Sequence, residues 1–401
     1  MGTPVLLVST ATQWLGTARI PRALAEAGFD VALLAPRNSP ASNSRFVAKV
    51  GYLPDEATRR DWVSAFAGMV GALSPDIVIP CDDMAFRLLQ DLAVGRPSSL
   101  APALHRRLAR LIRDSLGDPS WYQASIDKRR LASAAAALGV RVPQHEVVSS
   151  LEAAESFAAA QGYPIVLKRG LAFAGQGVII VRHRHELASS FARLTATSPM
   201  ETAAPLADPI LVQSYIPGQV QYYALAAWKG SLLAGWAADK VVTFPDATGP
   251  STVVRCHCEP EVRGFAQRLV RGFGMSGIMS LDCVIHGGTG DAYLLEINRR
   301  INPGSHLGSA LGVDLCAALH AALHGKPMTS RTDMDQDEEH VRVLFPQEWF
   351  RDPDSPYLRD GVVDVPWDDP GLIEALLGLR HGHGARDGRS KVARDEPFDS
   401  A

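Results

Sequence analysis

The sequence predicts a multidomain protein of mixed α/β and α+β class, opening with a parallel α/β domain over residues 1–115. Three observations lead there. A chain of 401 residues, 46% of them hydrophobic, is too long for one ordinary core and apolar enough to fill two or three. Its first part alternates apolar runs with helical patterns, the order of βαβ units whose strands lie parallel. Farther on, apolar runs come in pairs joined by short glycine-bearing turns, the order of hairpins.

In the first domain, residues 4–10 (PVLLVST) read as a buried strand, followed by a loop with Gly16 and a helix that stops at Gly28. Residues 29–34 (FDVALL) form a second strand; a helix is expected over 60–73, a strand over 76–80 and a helix after Asp82 and Asp83. A dinucleotide site is the sharp alternative for such a unit. Its first turn offers only Gly16 where a phosphate fingerprint needs three spaced glycines. The strand ends are instead expected to line a ligand cleft.

A helix over residues 127–138 carries Lys128 near its start. Residues 163–169 (YPIVLKR) form a strand ending in Lys168 and Arg169, and Gly170, Gly175 and Gly177 punctuate the loop that leads to Val178. Glycines let backbone N–H groups approach an oxyanion, and a strand-borne lysine supplies countercharge, so this hairpin is a candidate phosphate cradle. A flexible hairpin tip is the plainer reading of the same residues. Residues 195–208 read as a surface loop, and residues 210–218 (ILVQSYIPG) as a strand stopped by a Pro-Gly turn. A hairpin over 222–239 turns at 229–231 and leaves Lys240 at its end. The helix over 259–272 carries Phe265, Leu269 and Phe273 in a core stripe.

Residues 281–300 (LDCVIHGGTGDAYLLEINRR) hold the densest chemistry: two apolar runs around a glycine-rich turn, with Asp282 on one and Glu296 and Asn298 on the other. Glu296 and Asn298 share a strand face. If the turn pairs the strands, two carboxylates and an amide converge on apolar ribbons, which suits a hard cation such as Mg²⁺ better than a core. An exposed hairpin face is the alternative. Beyond residue 329, an appendage over 329–380 is expected to pack through its aromatics (Phe345, Trp349, Phe350, Tyr357, Trp367), and residues 381–401 read as a disordered tail.

The net charge of −3 and scattered Lys and Arg argue against nucleic acid, and no apolar run reaches membrane-spanning length. Five cysteines without paired spacing suit reduced thiols and a cytoplasmic location. Cys256-His257-Cys258 reads as a strand passing through rather than a zinc site. Small-molecule partners are expected, and a homodimer is the default assembly.

In order and spacing, Lys128, Lys168 with its glycine loop, the strip VQSYIPG, and the D…EIN pair resemble the ATP-grasp superfamily of carboxylate–amine ligases, over about residues 120–325. The resemblance implies a two-lobed unit behind a pre-ATP-grasp domain: a small lobe over 116–205 and a large lobe over 206–328. It implies that Lys128 and Lys168 contact ATP phosphates, with Gly175, Gln176, Gly177 and Val178 closing over them. Adenine would lie along Gln213, Ser214, Tyr215 and Ile216, and Gln221 would meet the ribose. The superfamily usually has an acidic residue where Gln213 stands and another for the ribose. Asp282, Glu296 and Asn298 would hold Mg²⁺, two ions in all, with Mn²⁺ as a substitute. Arg300 would face the transferred phosphate or the acyl substrate, and Lys240 would be the basic residue across the cleft. The implied reaction activates a carboxylate as an acyl phosphate and joins it to an amine or thiol, releasing ADP and phosphate. A small-molecule kinase and a non-catalytic ATP-binding regulatory module are the alternatives on the same fold.

Overall fold

The structure, a computed structural model, describes residues 2–12, 14–170, 177–196, 209–245 and 249–379. The expected surface loop from residue 197, Gly175, Gln176, Thr248 and the C-terminal tail lie outside the described residues.

The first sheet is wholly parallel. Its strands are β1 (Thr3–Val8), β2 (Phe29–Pro36), β3 (Lys49–Leu53) and β4 (Ile77–Pro80), in the order β3-β2-β1-β4. Successive side chains of β1 feed two cores: Val5 and Leu7 join one apolar cluster, Leu6 and Val8 the other. That is why the run is apolar without alternation. The helix Arg59–Leu73 starts on a reciprocal Thr58–Asp61 capping box and ends at Ser74, whose φ of 46° is left-handed.

The second sheet is antiparallel: β5 (His145–Val148), β6 (Ile165–Arg169), β7 (Val178–Val181) and β8 (Ile210–Ser214), in the order β5-β8-β6-β7. One face, with Ile165, Leu167 and Val212, packs under the helices Leu151–Gln161 and Arg184–Thr195. Alternation sends Lys168 and Gln213 to the other face.

The third sheet is the largest: β9 (Gly218–Trp228), β10 (Ser231–Thr243), β11 (Ser251–His257), β12 (Gly277–His286), β13 (Ala292–Asn298), β14 (Glu339–Val343) and β15 (Val362–Val363). The order is β13-β12-β9-β10-β11-β14-β15. β9 and β10 turn through Lys229 and Gly230, both at positive φ, the geometry a two-residue hairpin loop requires. One face packs on the helix Pro260–Gly272, where Phe265, Leu269 and Phe273 are all buried. The other face, with Tyr222, Trp236 and Ile278, shares one apolar cluster with Val5, Leu7 and Ile79 of the first sheet. This joint core brings the carboxyl ends of the first sheet to the end of β13.

The segment after residue 329 corrects one expectation. It docks by pairing β14 with the edge of β11, whose backbone groups would otherwise be open, and of its aromatics Phe345 packs against the Ala18, Leu372 and Leu376 cluster while Trp367 does not bury. Trp367 is 77% exposed. The anchors are Leu372 and Leu376 against Ala18, with the Asp369 carboxylate accepting from Ser44 Oγ at 2.5 Å. No single helix among the described residues is long and apolar enough to cross a membrane.

Candidate active site

The hairpin β12–β13 begins in one register and ends in another. Near the turn, Val284 stands across from Tyr293 and Cys283 from Leu294; then Asp282 stands across from Glu296, so Leu295 is an extra residue on β13. Such a bulge moves everything beyond it to the opposite face. Asp282, Glu296 and Asn298 are together because of it. Asn298 Nδ2 lies 3.1 Å from Asp282 Oδ1 and 3.5 Å from Glu296 Oε1, while its Oδ1 accepts from Arg300 Nη2 at 3.2 Å.

Four cations surround these carboxylates. Lys128 Nζ is 3.0 Å from Glu296 Oε2, and Lys240 Nζ donates to Asp282 Oδ2 at 2.7 Å. Lys128 opens the helix Lys128–Ala137 and its backbone N–H donates to Gly170 O at 3.0 Å, which ties that helix to the end of β6. Lys168 is 6% exposed, and burial with Lys128 nearby lowers its pKa to about 8, although Glu296 and Asp282 work the other way. Burial alone would raise Glu296; Lys128, Lys168 and Lys240 outweigh it and hold the carboxyl down to about 2. Burial likewise opposes the charge on Lys240, and Asp282 more than restores it. The fourth cation, Arg300, is buried and pairs with Asp83 Oδ2 at 2.9 Å.

Two carboxylates supply oxygens of the kind a hard divalent cation takes, the Asn298 amide would add a third by turning its oxygen from Arg300 toward them, and the lysines now pairing the carboxylates show where positive charge is favoured. The third donor is an amide: among the described residues no three His, Cys, Asp or Glu stand together as a metal site. A cavity of about 130 Å³ opens beside the cluster, lined by Asp282, Glu296, Asn298, Arg300 and Lys240 together with Trp14.

Other expected residues fall elsewhere. Gln213 shares the inner face of the second sheet with Lys168, 3% exposed, its Oε1 without a partner among the described residues. Ser214 N donates to Gln144 O at 2.9 Å and Tyr215 N to Pro164 O at 3.4 Å, so these two amides are already engaged, and Ile216 follows in the connection to β9. Gly177 O accepts from Arg169 N at 2.9 Å, and Val178 stands across from Lys168. Gln221 does not join the cluster. It stands across from Cys283 and Asp239, one residue out of phase with Tyr222 and Asp282, and alternation therefore buries it on the opposite face of the third sheet. Conversely, Trp14 and Asp83 reach Arg300 from the first domain, and no local pattern marked them.

Comparison with known proteins agrees with this fold. Residues 127–329 match the model of the family described as "Carbamoyl-phosphate synthase L chain, ATP binding domain"; the chain belongs to this ATP-binding family, and through it to the ATP-grasp superfamily. It is 26% identical over 180 residues to the N-terminal section of the carbamoyl phosphate synthase large chain of Methanopyrus kandleri, covering 43% of this chain and 31% of the relative. Against the chloroplastic arginine-specific large chain of Oryza sativa subsp. japonica it is 24% identical over 190 residues, 45% of this chain and 16% of the relative. The chain thus spans a third or less of the length of these curated relatives. Among solved structures, the biotin carboxylase–ATP-analogue complex from Campylobacter jejuni superposes with a TM-score of 0.63 at 13% identity, over 85% of this chain and 75% of that one. The N5-carboxyaminoimidazole synthetase from Staphylococcus aureus gives 0.57 at 12% identity, over 85% and 82%. At such identities these likenesses bear on the fold alone.

Proposed function

We propose that the chain is an ATP-dependent ligase that activates a carboxylate as an acyl phosphate and joins it to an amine or a thiol, releasing ADP and phosphate. The observation that carries this reading is the convergence of Asp282, Glu296 and Asn298 with Lys240 and Arg300 around a small cavity, with Lys128 paired to Glu296 and the Lys168 charge acting on the same carboxylates. Lys128 and Lys168 approach from the second sheet and its neighbouring helix, Lys240 and Arg300 from the third. Charge transferred with a phosphoryl group needs neutralisation and alignment more than covalent help, and these side chains supply both. Asp282, Glu296 and Asn298 would hold Mg²⁺, two ions or Mn²⁺ in their place, which when bound neutralises phosphate charge. Lys128 and Lys168 bind the phosphates; Arg300 orients the phosphoryl group or the carboxylate; Lys240 keeps Asp282 ionised and in place. Gly177 and Val178, at the start of β7, would cover the phosphates together with Gly175 and Gln176. Gln213, Ser214, Tyr215 and Ile216 line the strip for adenine; the ribose contact once expected of Gln221 has no support in its buried position. Small-molecule acids and amines are the partners, and a homodimer is the expected assembly.

The test is a pairwise screen of carboxylic and amino acids for ADP release, with Glu296→Ala as the blank. ADP and phosphate formed only when both substrates are present supports the reading. Release of AMP and pyrophosphate overturns it.

A further inference from the structure

The strand order of the first, wholly parallel sheet reverses between β1 and β4, and the carboxyl ends of two such strands ordinarily frame a ligand crevice. Here the chain fills that crevice with Asp82. Its carboxylate accepts from Ser9 Oγ at 2.9 Å, Thr10 N at 2.6 Å, Thr10 Oγ1 at 2.8 Å, Ala11 N at 3.1 Å and Ala85 N at 2.8 Å. The loop after β1 and the start of the helix Asp83–Val94 are thereby locked together. What this locked piece presents to the third sheet is Trp14 and Asp83.

Both grip the dipeptide Arg300-Ile301. Ile301 N donates to Pro80 O at 3.3 Å, and Trp14 Nε1 donates to Ile301 O at 3.1 Å. Arg300 Nε donates to Asp83 Oδ2 at 2.9 Å, and its guanidinium carbon sits 4.3 Å from the centre of the Trp14 ring. From its own strand the side chain meets Asn298 Oδ1 at 3.2 Å. Gly16 keeps the approach open, because a Cβ there would lie 2.9 Å from Trp14 Nε1 and 3.1 Å from the Asn302 backbone. An arginine's donors form a rigid planar fork, so the direction of the plane decides what it can bind. An arginine held before its ligand arrives loses little freedom on binding.

We infer that Asp83 and Trp14 are positioning residues, which hold the Arg300 guanidinium in the plane that receives the terminal phosphoryl group of a nucleoside triphosphate. The first domain thus completes a site whose other cations come from elsewhere in the chain. This inference rests on the ligase reading of the Asp282–Glu296 cluster.

The experiment measures calorimetric affinities of the full chain for Mg-ADP and for a Mg-bound, non-hydrolysable β,γ-imido ATP analogue. Wild type is compared with Arg300→Ala, Asp83→Asn, Asp83→Glu and Trp14→Phe. Asp83→Asn is expected to weaken the triphosphate analogue about tenfold, the scale of one charge-assisted hydrogen bond, and to leave Mg-ADP unchanged, while Arg300→Ala should weaken the analogue at least as much. Asp83→Glu restores most of the loss. A merely structural role would lower both affinities together and gain nothing from glutamate, and that result overturns the inference. Should Asp83→Asn fold poorly, Trp14→Phe keeps the ion pair while removing the indole N–H, and it should show a smaller loss confined to the triphosphate. Equal discrimination in wild type, Asp83→Asn and Trp14→Phe overturns the inference alone. A wild-type chain that binds neither nucleotide overturns the ligase reading and the inference with it.

Discussion

Glu296 faces Asp282 because β13 carries one residue, Leu295, that β12 does not match. In the register set by the turn, Asp282 would stand across from Leu295, and Glu296 and Asn298 would point into the core that holds Leu281 and Cys283. The shift of one residue separates a cation site from three polar groups divided between two faces.

Deleting Leu295 should therefore abolish Mg²⁺-dependent nucleotide binding and lower the melting temperature, because carboxylate and amide groups would turn into an apolar core. Leu295→Ala keeps the residue count. It should bind Mg-ATP within about threefold of wild type and lose about 1–2 kcal/mol of stability. Calorimetry and thermal melts of the two variants separate register from side chain.

Glu296→Ala leaves Lys128 without its 3.0 Å partner and removes one carboxylate from the cluster. Affinity for Mg-ATP should fall by at least about tenfold, and ADP release in the substrate screen should drop to background. Affinity for ATP without Mg²⁺ should rise or stay level, since a negative charge near the phosphates is gone. Titrations with and without Mg²⁺ show whether the two responses diverge.

The lowered pKa of Lys168 gives a pH dependence with a definite sign. Burial makes the ammonium shed its proton near pH 8, where an exposed lysine would hold it to 10.5. Phosphates favour the charged form, so nucleotide binding puts a proton on Lys168 wherever the free site has lost it. Affinity should be level below pH 7 and fall as pH rises through 8, by up to about tenfold per unit. Lys168→Met should bind more weakly and lack that fall. Calorimetry from pH 6.5 to 9.5 measures both.

Gly170 sits against the start of the helix that bears Lys128. A Cβ there would lie 2.6 Å from Asp127 Oδ1 and closer still to Arg129 Nε, where these side chains form an ion pair of 2.8 Å. Gly170→Ala should cost about 1–3 kcal/mol through overpacking. It should also weaken Mg-ATP binding by displacing Lys128, while Gly139→Ala, with none of the described residues within 4 Å of the added Cβ but a φ of 72°, should change stability without changing affinity. Denaturant melts and calorimetry on the pair distinguish the two effects.

The sequence by itself determined the order of elements, the parallel first sheet, the strand that ends in Lys168 and the pairing of Asp282 with the Glu296–Asn298 strand. Each of these follows from local patterns: apolar periodicity, turn glycines, and polar groups placed where a core would not tolerate them alone. Only the tertiary structure decided which faces those groups occupy. Gln221 looked equivalent to its neighbours along β9 but lies out of phase with Tyr222 and is buried on the far face. Asp83 meets Arg300 across 217 residues, and the polar run at β14 becomes a strand because β11 has an open edge. The physical reason is common to all three. Register and long-range contact are set by the mutual fit of distant segments, and a pattern read along the chain carries no record of which distant segment will be there.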